Sequence, residues 1–430
     1  MPLPFRVSTL LLRDYRGLSA VTIHLHNDRL AVFVGVNGSG KTSVLDGAAS
    51  LLSWLVARVR SPQGRGFQIP ESDIRNESPL AVLTIILEAP GWGIENELLI
   101  WGVGKWRAGR RRDEGMEGTR LEALRPLAEA VREGLTEHPA EASVPLVALY
   151  PVNRAVLDIP LRIKKAHRFD QLGAYEGALE RATSNFRLFF EWFRGREDIE
   201  NEARLEAPAY RDRELSAVRR AVESLMPGFK GLRVRRTPLR MTVDKGRETL
   251  RVDQLSDGEK CVLALVGDLA RRLALANPAL DDPLQGSGIV MIDEVELHLH
   301  PGWQRRVVPG LLAAFPNCQF LLTTHSPAVL SEVPNDAVFL LERDRAGALA
   351  VRPLDTYGRD VNTILEDVFD APTRPKRVRQ ALDRLFADLH AGRLDAAQKR
   401  LRALEPEIGR DDPALIRARA QFEARSLLNG

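Results

Sequence analysis

The sequence contains little cysteine and no apolar segment long enough to cross a membrane. Only Cys261 and Cys318 occur among 430 residues, too few for a disulfide framework or a cysteine-based zinc cluster, so we expect a reducing cytosol. The apolar stretch 80–89 has the length of a strand and includes Glu88. The first residues lack the charged and apolar parts of a secretion signal. These absences predict a cytoplasmic protein without membrane contact and exclude a transporter with a fused membrane domain.

A strong excess of charge of one sign is also missing. Lys and Arg total 61 against 58 Asp and Glu, a formal net charge of +3, so composition neither requires nor excludes a nucleic-acid partner. The three basic runs at 105–112, 162–165 and 233–236 are interpreted as solvated surface. The alternative is nucleic-acid contact, with Trp106 stacking on a base.

The pattern of apolar residues predicts an α/β fold. Residues 30–34 form a continuous apolar run, typical of a central parallel strand buried on both faces, and a helix is predicted over 41–60. Further buried strands are predicted at 288–292 and 320–323. Helical spacing of Phe186, Phe189, Phe190 and Phe193 indicates the core of a small inserted helical lobe, with a ligand pocket as the alternative.

Four parts are predicted along the chain: a first α/β lobe (1–160), an inserted helical lobe (161–228), a second α/β lobe (229–371) and a C-terminal helical segment (372–430). In the last part, apolar residues at 378, 382, 385 and 389 predict an amphipathic helix, followed by two shorter helices. This segment is expected to be either a structural cap or a docking surface, and docking is favoured.

A glycine-rich motif follows the first buried strand. Residues 35–42 match G-x-x-x-x-G-K-[ST] between a strand and a helix, the context that this phosphate-binding loop requires. Glycines let successive N–H groups face phosphates, Lys41 supplies a charge, and the Thr42 hydroxyl is expected to bind Mg²⁺. The predicted nucleotide-binding residues of this loop are Gly35, Asn37, Gly38, Ser39, Gly40, Lys41, Thr42 and Ser43.

Two carboxylates end the apolar strand 289–292. A buried parallel strand would deliver Asp293 and Glu294 to its carboxyl edge, where ligands bind in open α/β sheets. Asp293 is expected to hold Mg²⁺, and Glu294 is expected to act as general base on the attacking water. Together with the glycine-rich loop, this pair predicts an ATPase.

The segment 255–260, Leu-Ser-Asp-Gly-Glu-Lys, precedes an apolar helix. It resembles the signature motif of ABC ATPases in their SMC/RecF-like branch. The resemblance implies a P-loop NTPase of ABC type in which Ser256 and Gly258 touch the γ-phosphate held by the opposite subunit, so that Mg-ATP would be bound between two copies of the chain. Read from the residues alone, Ser256 is a good helix N-cap, and both readings can hold together.

Two histidine-containing strings complete the set. Residues 323–327, Thr-Thr-His-Ser-Pro, resemble the switch region of ABC ATPases, which implies that His325 reaches the γ-phosphate. Residues 296–301 resemble the segment that crosses the dimer interface in RecF-like ATPases. A zinc site at His298 and His300 is the less favoured alternative, because no further cysteine or histidine cluster accompanies them.

Outside these motifs, residues 51–58, 150–154, 189–194 and 356–362 resemble the PtuA-like ATPase subunits of Septu and retron-associated anti-phage systems. The resemblance runs over roughly residues 5–400. It implies a homo-oligomer built from ATP-dependent dimers, a separate HNH endonuclease subunit of PtuB-like type, and DNA contacted through the complex. No nuclease centre is expected in this chain. The same resemblance makes Asn153 the candidate coupling residue and gives Arg16 a nucleotide role.

Three functions are compatible with these features. The leading one is a sensor or regulatory ATPase subunit of a defence complex with a nuclease. The alternative is a standalone DNA-repair or DNA-binding ATPase of RecF/SMC type, which predicts salt-dependent duplex binding by the chain alone. A nucleotide-binding scaffold that hydrolyses little is the third, and the presence of Glu294 argues against it.

Overall fold

A computed structural model describes residues 5–109, 118–139, 141–152, 169–180, 186–343 and 349–428. Two compact units are present, one up to Val361 and one from Asn362. Every motif named above lies in the first unit, and the second is helical. The four-part division predicted from the sequence stays a prediction. None of the described helices is long and apolar enough to cross a membrane.

The described residues of the first unit form three β-sheets. An antiparallel sheet has the order β2-β1-β4-β5, a mixed sheet has the order β13-β12-β3-β11-β10-β6, and a small antiparallel sheet has the order β7-β8-β9. The strands are β1 (Arg6–Tyr15), β2 (Leu18–His24), β3 (Leu30–Val34), β4 (Leu80–Glu88), β5 (Leu98–Trp106), β6 (Leu146–Tyr150), β7 (Phe229–Arg236), β8 (Leu239–Lys245), β9 (Glu248–Arg251), β10 (Gly288–Ile292), β11 (Cys318–Thr323), β12 (Val338–Arg343) and β13 (Leu349–Pro353).

Helices surround these sheets and form the second unit. In the first unit they are α1 (Lys41–Arg60), α2 (Leu124–Glu137), α3 (Phe186–Glu206), α4 (Arg213–Leu225), α5 (Asp257–Ala276), α6 (Pro301–Ala314) and α7 (Pro327–Leu330). Those that follow are α8 (Val361–Phe369), α9 (Lys376–His390), α10 (Leu394–Ile408) and α11 (Pro413–Leu428). The predicted α/β class with a helical C-terminal segment is confirmed.

The mixed sheet places the motifs side by side. Strands β3, β11 and β10 are adjacent and parallel, and all their residues are buried, which explains their unbroken apolar character. The glycine-rich loop follows β3, Asp293 and Glu294 follow β10, and His325 comes two residues after β11. Because parallel strands end at the same edge, these three segments meet there.

Helix α1 packs against both larger sheets, and its Gly47 allows the antiparallel sheet to approach closely. A Cβ atom on Gly47 would lie only 2.5 Å from the Leu12 side chain of β1. On the same helix, the Leu51 carbonyl accepts a hydrogen bond from the Trp101 indole of β5 at 3.0 Å. The helix that carries Lys41 is therefore fixed along its length by the antiparallel sheet.

The phenylalanines of α3 pack against helix α5. The Phe189 ring lies against Gly267 of α5, where an added Cβ would come within 2.8 Å of a ring carbon. Phe186 and Phe193 flank Phe189 at centroid separations of 5.6 and 5.7 Å. These rings therefore pack α3 onto α5, the helix that begins at the predicted signature motif.

A buried ionic cluster lies in the middle of α5. Asp268 accepts hydrogen bonds from Arg271 (2.7 Å), Arg272 (2.6 Å) and the Tyr150 hydroxyl of β6 (3.0 Å). Arg272 also donates to the carbonyls of Ala174 (2.6 Å) and Glu176 (3.0 Å). Although burial alone would raise the pKa of Asp268, Arg272 and Arg271 lower that pKa to about 2. The cluster thus connects α5 to the end of β6, whose Tyr150 carbonyl accepts the Asp293 N–H.

The second unit is a helical bundle with its own apolar core. Leu382, Leu385 and Leu389 of α9 pack with Leu401 of α10 and Leu415 of α11. The predicted amphipathic helix is present, but the expectation that the two following helices are shorter is wrong. Helices α9 and α10 have 15 residues each and α11 has 16, because Leu401, Leu404 and Leu415 continue the same core.

We predict that Asp268→Asn lowers the free energy of unfolding by about 3–5 kcal/mol, because two buried arginines lose their carboxylate. Tyr150→Phe is the matched control, which removes one hydrogen bond and should cost about 1 kcal/mol. Since the folded pKa of Asp268 is below its unfolded value near 3.9, its contribution is present above about pH 4 and is lost as pH falls toward 2. Urea denaturation at several pH values measures both effects. Equal losses in the two variants would contradict the prediction.

Candidate functional site: a phosphate-binding cleft

The loop between β3 and α1 has backbone geometry that glycine allows. Gly38 and Gly40 have φ angles of 78° and 98°, in the left-handed region. At Gly35 a Cβ atom would lie 2.3 Å from the Leu341 carbonyl oxygen. The three glycines thus serve local conformation and close packing, as the sequence motif predicts.

The Lys41 side chain binds the backbone of its own loop. Its Nζ atom donates hydrogen bonds to the carbonyls of Gly35 (2.9 Å) and Val36 (3.1 Å), and its side chain is buried. Burial lowers the pKa of this ammonium, while the carboxylates of Asp293, Glu294 and Glu296 oppose the shift. The charge is thereby held among the loop carbonyls and next to three acidic groups.

Asp293 joins the glycine-rich loop to the central sheet. Its carboxylate accepts hydrogen bonds from the Thr42 hydroxyl at 3.1 Å and from the Thr323 hydroxyl at 2.5 Å. Thr323 is fully buried and its hydroxyl oxygen also accepts the Glu294 N–H at 2.7 Å. Hydroxyl and carboxylate oxygens at this position fit Mg²⁺, which takes one or two protein oxygens together with phosphates and water.

The described residues contain no cluster of three His, Cys, Asp or Glu side chains that would hold a metal by themselves. Within the part of the chain that the structure describes, no third side chain completes a zinc site at His298 and His300. His300 has another role, since its Nδ1 atom accepts the Gly302 N–H at the start of α6. Within the glycine-rich loop, the Ser39 hydroxyl oxygen is buried and has no hydrogen-bond partner among the described residues.

The loop after β11 is held by a carboxylate that the sequence analysis did not single out. Glu296 accepts the His325 N–H at 2.5 Å with one oxygen and the Thr324 hydroxyl at 2.7 Å with the other. Burial, together with the Lys41 charge, lowers the pKa of His325 and favours its neutral imidazole, while Glu296, Glu294 and Asp293 oppose the shift. An acid two residues beyond an Asp-Glu pair was the available signal for Glu296.

The glycine-rich loop, the Asp293–Glu294 pair and His325 together line one open cleft of about 230 Å³. Its lining residues are Asn37, Gly38, Gly40, Lys41, Thr42, Ser43, Asp293, Glu294 and His325. Gly35 and Ser39 belong to the loop without lining the cleft. Glu294 has a left-handed φ of 47°, an uncommon conformation for a residue other than glycine, and its side chain faces the cleft with His325.

Ser256 and Gly258 are not part of this cleft. Ser256 is exposed and caps α5 reciprocally: its hydroxyl accepts the Glu259 N–H at 3.4 Å, and its own N–H donates to the Glu259 carboxylate at 2.9 Å. Gly258 lies against the backbone of His298, because an added Cβ would be 2.4 Å from that carbonyl oxygen. His298 is exposed and has a φ of 63°.

A further candidate, Arg16, does not line this cleft. The Arg16 guanidinium forms ion pairs with Asp46 of α1 and with Asp73. It therefore stabilises the packing of α1 and does not line the nucleotide cleft. The predicted coupling residue Asn153 lies outside the described residues.

The fold and the cleft define an α/β P-loop NTPase, a fold that binds nucleotides. Comparison with known proteins agrees. The family described as "AAA domain, putative AbiEii toxin, Type IV TA system" matches residues 153–331, which include Ser256, Asp293 and His325 but not the glycine-rich loop.

Among relatives, the "Retron Ec83 probable ATPase" of Escherichia coli is 28% identical over 98% of this chain and 87% of its own length. The "Retron Vc95 probable ATPase" of Vibrio cholerae serotype O1 biovar El Tor is 29% identical over 84% of this chain and 78% of its own. The "Septu protein PtuA" of Bacillus mycoides (strain KBAB4) is 33% identical over 28% of this chain and 16% of its own. The predicted resemblance to PtuA-like ATPases, and the enzyme class with it, is confirmed.

We predict that Glu296→Ala lowers the turnover of ATP about 10- to 100-fold while nucleotide affinity changes little. The reason is that the carboxylate holds the backbone of His325 without lining the cleft, and small displacements of a catalytic group are costly. Steady-state hydrolysis and fluorescent-nucleotide titration measure the two quantities. Glu223→Ala, at an exposed acid, is the control. Unchanged turnover in Glu296→Ala would refute the positioning role.

Proposed function

We propose that this chain binds and hydrolyses Mg-ATP between two copies of itself and acts as the sensor or regulatory subunit of an anti-phage defence complex with a separate HNH nuclease. The observation that carries the ATPase part is the meeting of Lys41, Thr42, Asp293, Glu294 and His325 in one cleft. These groups come from three separate segments of the sequence. They supply a cation, two magnesium ligands, a base and an imidazole.

Each group has a role that its position supports. Lys41 neutralises charge on the β- and γ-phosphates, and Thr42 and Asp293 hold Mg²⁺, which offsets the charge that develops on the transferring phosphoryl group. Glu294, which lines the same cleft, orients and deprotonates the attacking water. His325, which lines the same cleft, donates a hydrogen bond toward the γ-phosphate.

The dimer is proposed because the signature residues do not line the cleft of their own chain. Ser256 is exposed at the start of α5, where backbone N–H groups and the helix dipole favour an anion. Ser256 and Gly258 of one protomer would seal the cleft of the other. In this arrangement nucleotide is a ligand of the dimer and not of the monomer.

The defence role rests on the relatives that carry retron and Septu names. We propose that a nuclease subunit docks on the ATPase oligomer and contacts DNA through the complex. The helical second unit is the proposed docking element, since it has its own core and carries none of the nucleotide motifs.

We predict that mixing two inactive variants restores hydrolysis. Lys41→Ala damages the P-loop half of a site, and Ser256→Arg damages the signature half. In a mixed dimer one site receives both defects, while the other combines an intact P-loop with an intact signature. Activity of about a quarter of wild type is expected at equal amounts, because half of the dimers are mixed and each has one good site.

The complementation assay is steady-state phosphate release from each variant alone and from the mixture. If Ser256 acted within its own chain, the mixture would stay as inactive as its parts, and the shared-site proposal would be wrong. Mixing each variant with itself at the same total concentration is the control.

We also predict that Glu294→Gln accumulates a dimer in Mg-ATP, because nucleotide binds but its hydrolysis is blocked. Size-exclusion chromatography with light scattering measures this, and Glu223→Gln is the matched exposed control. A Glu294→Gln chain that remains monomeric in Mg-ATP and hydrolyses at the wild-type rate would contradict both the base assignment and the dimer.

The nuclease partner is tested by co-expressing this chain with any HNH reading frame that adjoins its gene. We expect the two proteins to co-purify, and we expect removal of residues 362–430 to abolish co-purification while leaving nucleotide binding by the first unit. Duplex DNA binding by the chain alone, with no effect of an HNH protein, would favour the standalone DNA-binding alternative.

A further inference from the structure

A second cleft, of about 460 Å³, lies between α3 and β7. It shares no lining residue with the nucleotide cleft. Five arginines and two glutamates line it; the arginines are Arg204, Arg211, Arg219, Arg233 and Arg235. This cleft includes part of the basic run 233–236, which the proposed ATPase chemistry does not use.

The two glutamates are fully engaged at the floor of the cleft. Glu197 and Glu200 are 6% and 3% exposed, and Arg219 donates to both, at 3.2 and 3.0 Å. Glu197 also accepts the Val234 N–H at 3.0 Å and a hydrogen bond from Arg236 at 2.8 Å. These buried acids are neutralised where they lie and do not compensate the charges at the rim.

The arginines at the rim, in contrast, have few carboxylate partners. The side chains of Arg204 and Arg235 are exposed and make no hydrogen bond or ion pair with any described residue. Arg211 donates only to the carbonyls of Pro208 and Tyr210, and Arg233 pairs at 3.3 Å with the partly exposed Asp244. The rim therefore presents guanidinium groups whose N–H donors are available to bind an anion.

We propose that this cleft binds the phosphate groups of a nucleotide or a nucleic-acid strand. Every cation at the rim is an arginine, whose planar fork binds phosphate oxygens in pairs. Tyr210, which precedes Arg211 in the sequence, is 40% exposed, and an exposed tyrosine ring can stack on a base. The inference does not depend on ATP hydrolysis, because none of its residues belongs to the nucleotide cleft.

The test measures fluorescence anisotropy with the full chain carrying Lys41→Ala, so that the P-loop does not contribute. Three probes are used: a labelled 20-nucleotide single strand, a 20-base-pair duplex and a labelled mononucleotide. Arg204→Ala/Arg235→Ala is compared with Arg60→Ala/Arg65→Ala, which removes the same charge from two exposed arginines outside the cleft. Arg204→Gln/Arg235→Gln serves as a second cleft variant, and circular dichroism checks the fold of each protein.

The cleft variants should lose affinity at least about tenfold, and the control should lose less than about twofold. For the single strand, the slope of log K against log salt should fall by about 1.4. A loss confined to the oligonucleotides identifies a nucleic acid, and a loss shared by the mononucleotide identifies a free nucleotide. Absence of binding for all probes, or equal losses in cleft and control variants, overturns the proposal.

Discussion

The carboxylate of Asp293 is the interaction on which the rest of the cleft depends. It accepts hydrogen bonds from a threonine at the start of α1 and from a threonine at the end of β11. The glycine-rich loop, the Asp-Glu pair and the switch loop are thereby connected at a single group. Because the Thr323 hydroxyl also accepts the Glu294 N–H, one threonine holds both the backbone of the proposed base and the carboxylate of the proposed magnesium ligand. Moving any one of the three segments would disturb the other two.

A second chain of contacts runs through α5. Its first turn carries the signature residues, its middle carries Asp268, and Tyr150 joins that aspartate to the strand edge beside Asp293. One helix thus contacts the protomer's own strand edge while presenting Ser256 outward. The phenylalanines of α3 pack on the same helix. Much of the core of this protomer is therefore organised around the element that we propose acts on its neighbour.

The parts that could be predicted from the sequence are those governed by local pattern. The helix 41–60 and the strand 30–34 have the predicted bounds, because a run of buried apolar residues ends at a glycine-rich turn and a helix follows directly. The loop residues around Lys41 gather as expected for the same reason. Glu296 was missed because its role exists only once β10 and β11 are adjacent in space. The packing of Phe189 on Gly267 was missed because helical spacing shows which face is apolar but not which partner covers it. The rim of the arginine-lined cleft depends likewise on which arginines find a carboxylate, and that is decided by tertiary contacts.

Gly258 and His298 are in backbone contact, and this has a mechanical consequence. A side chain at position 258 would overlap the carbonyl oxygen of residue 298. The first turn of α5 is therefore in close backbone contact with the segment that follows Glu294. Any tilt of one is transmitted directly to the other. In the dimer that we propose, a shift of the segment after Glu294 on loss of the γ-phosphate would also move Ser256 away from the opposite nucleotide, so that the two sites would open together and not one at a time.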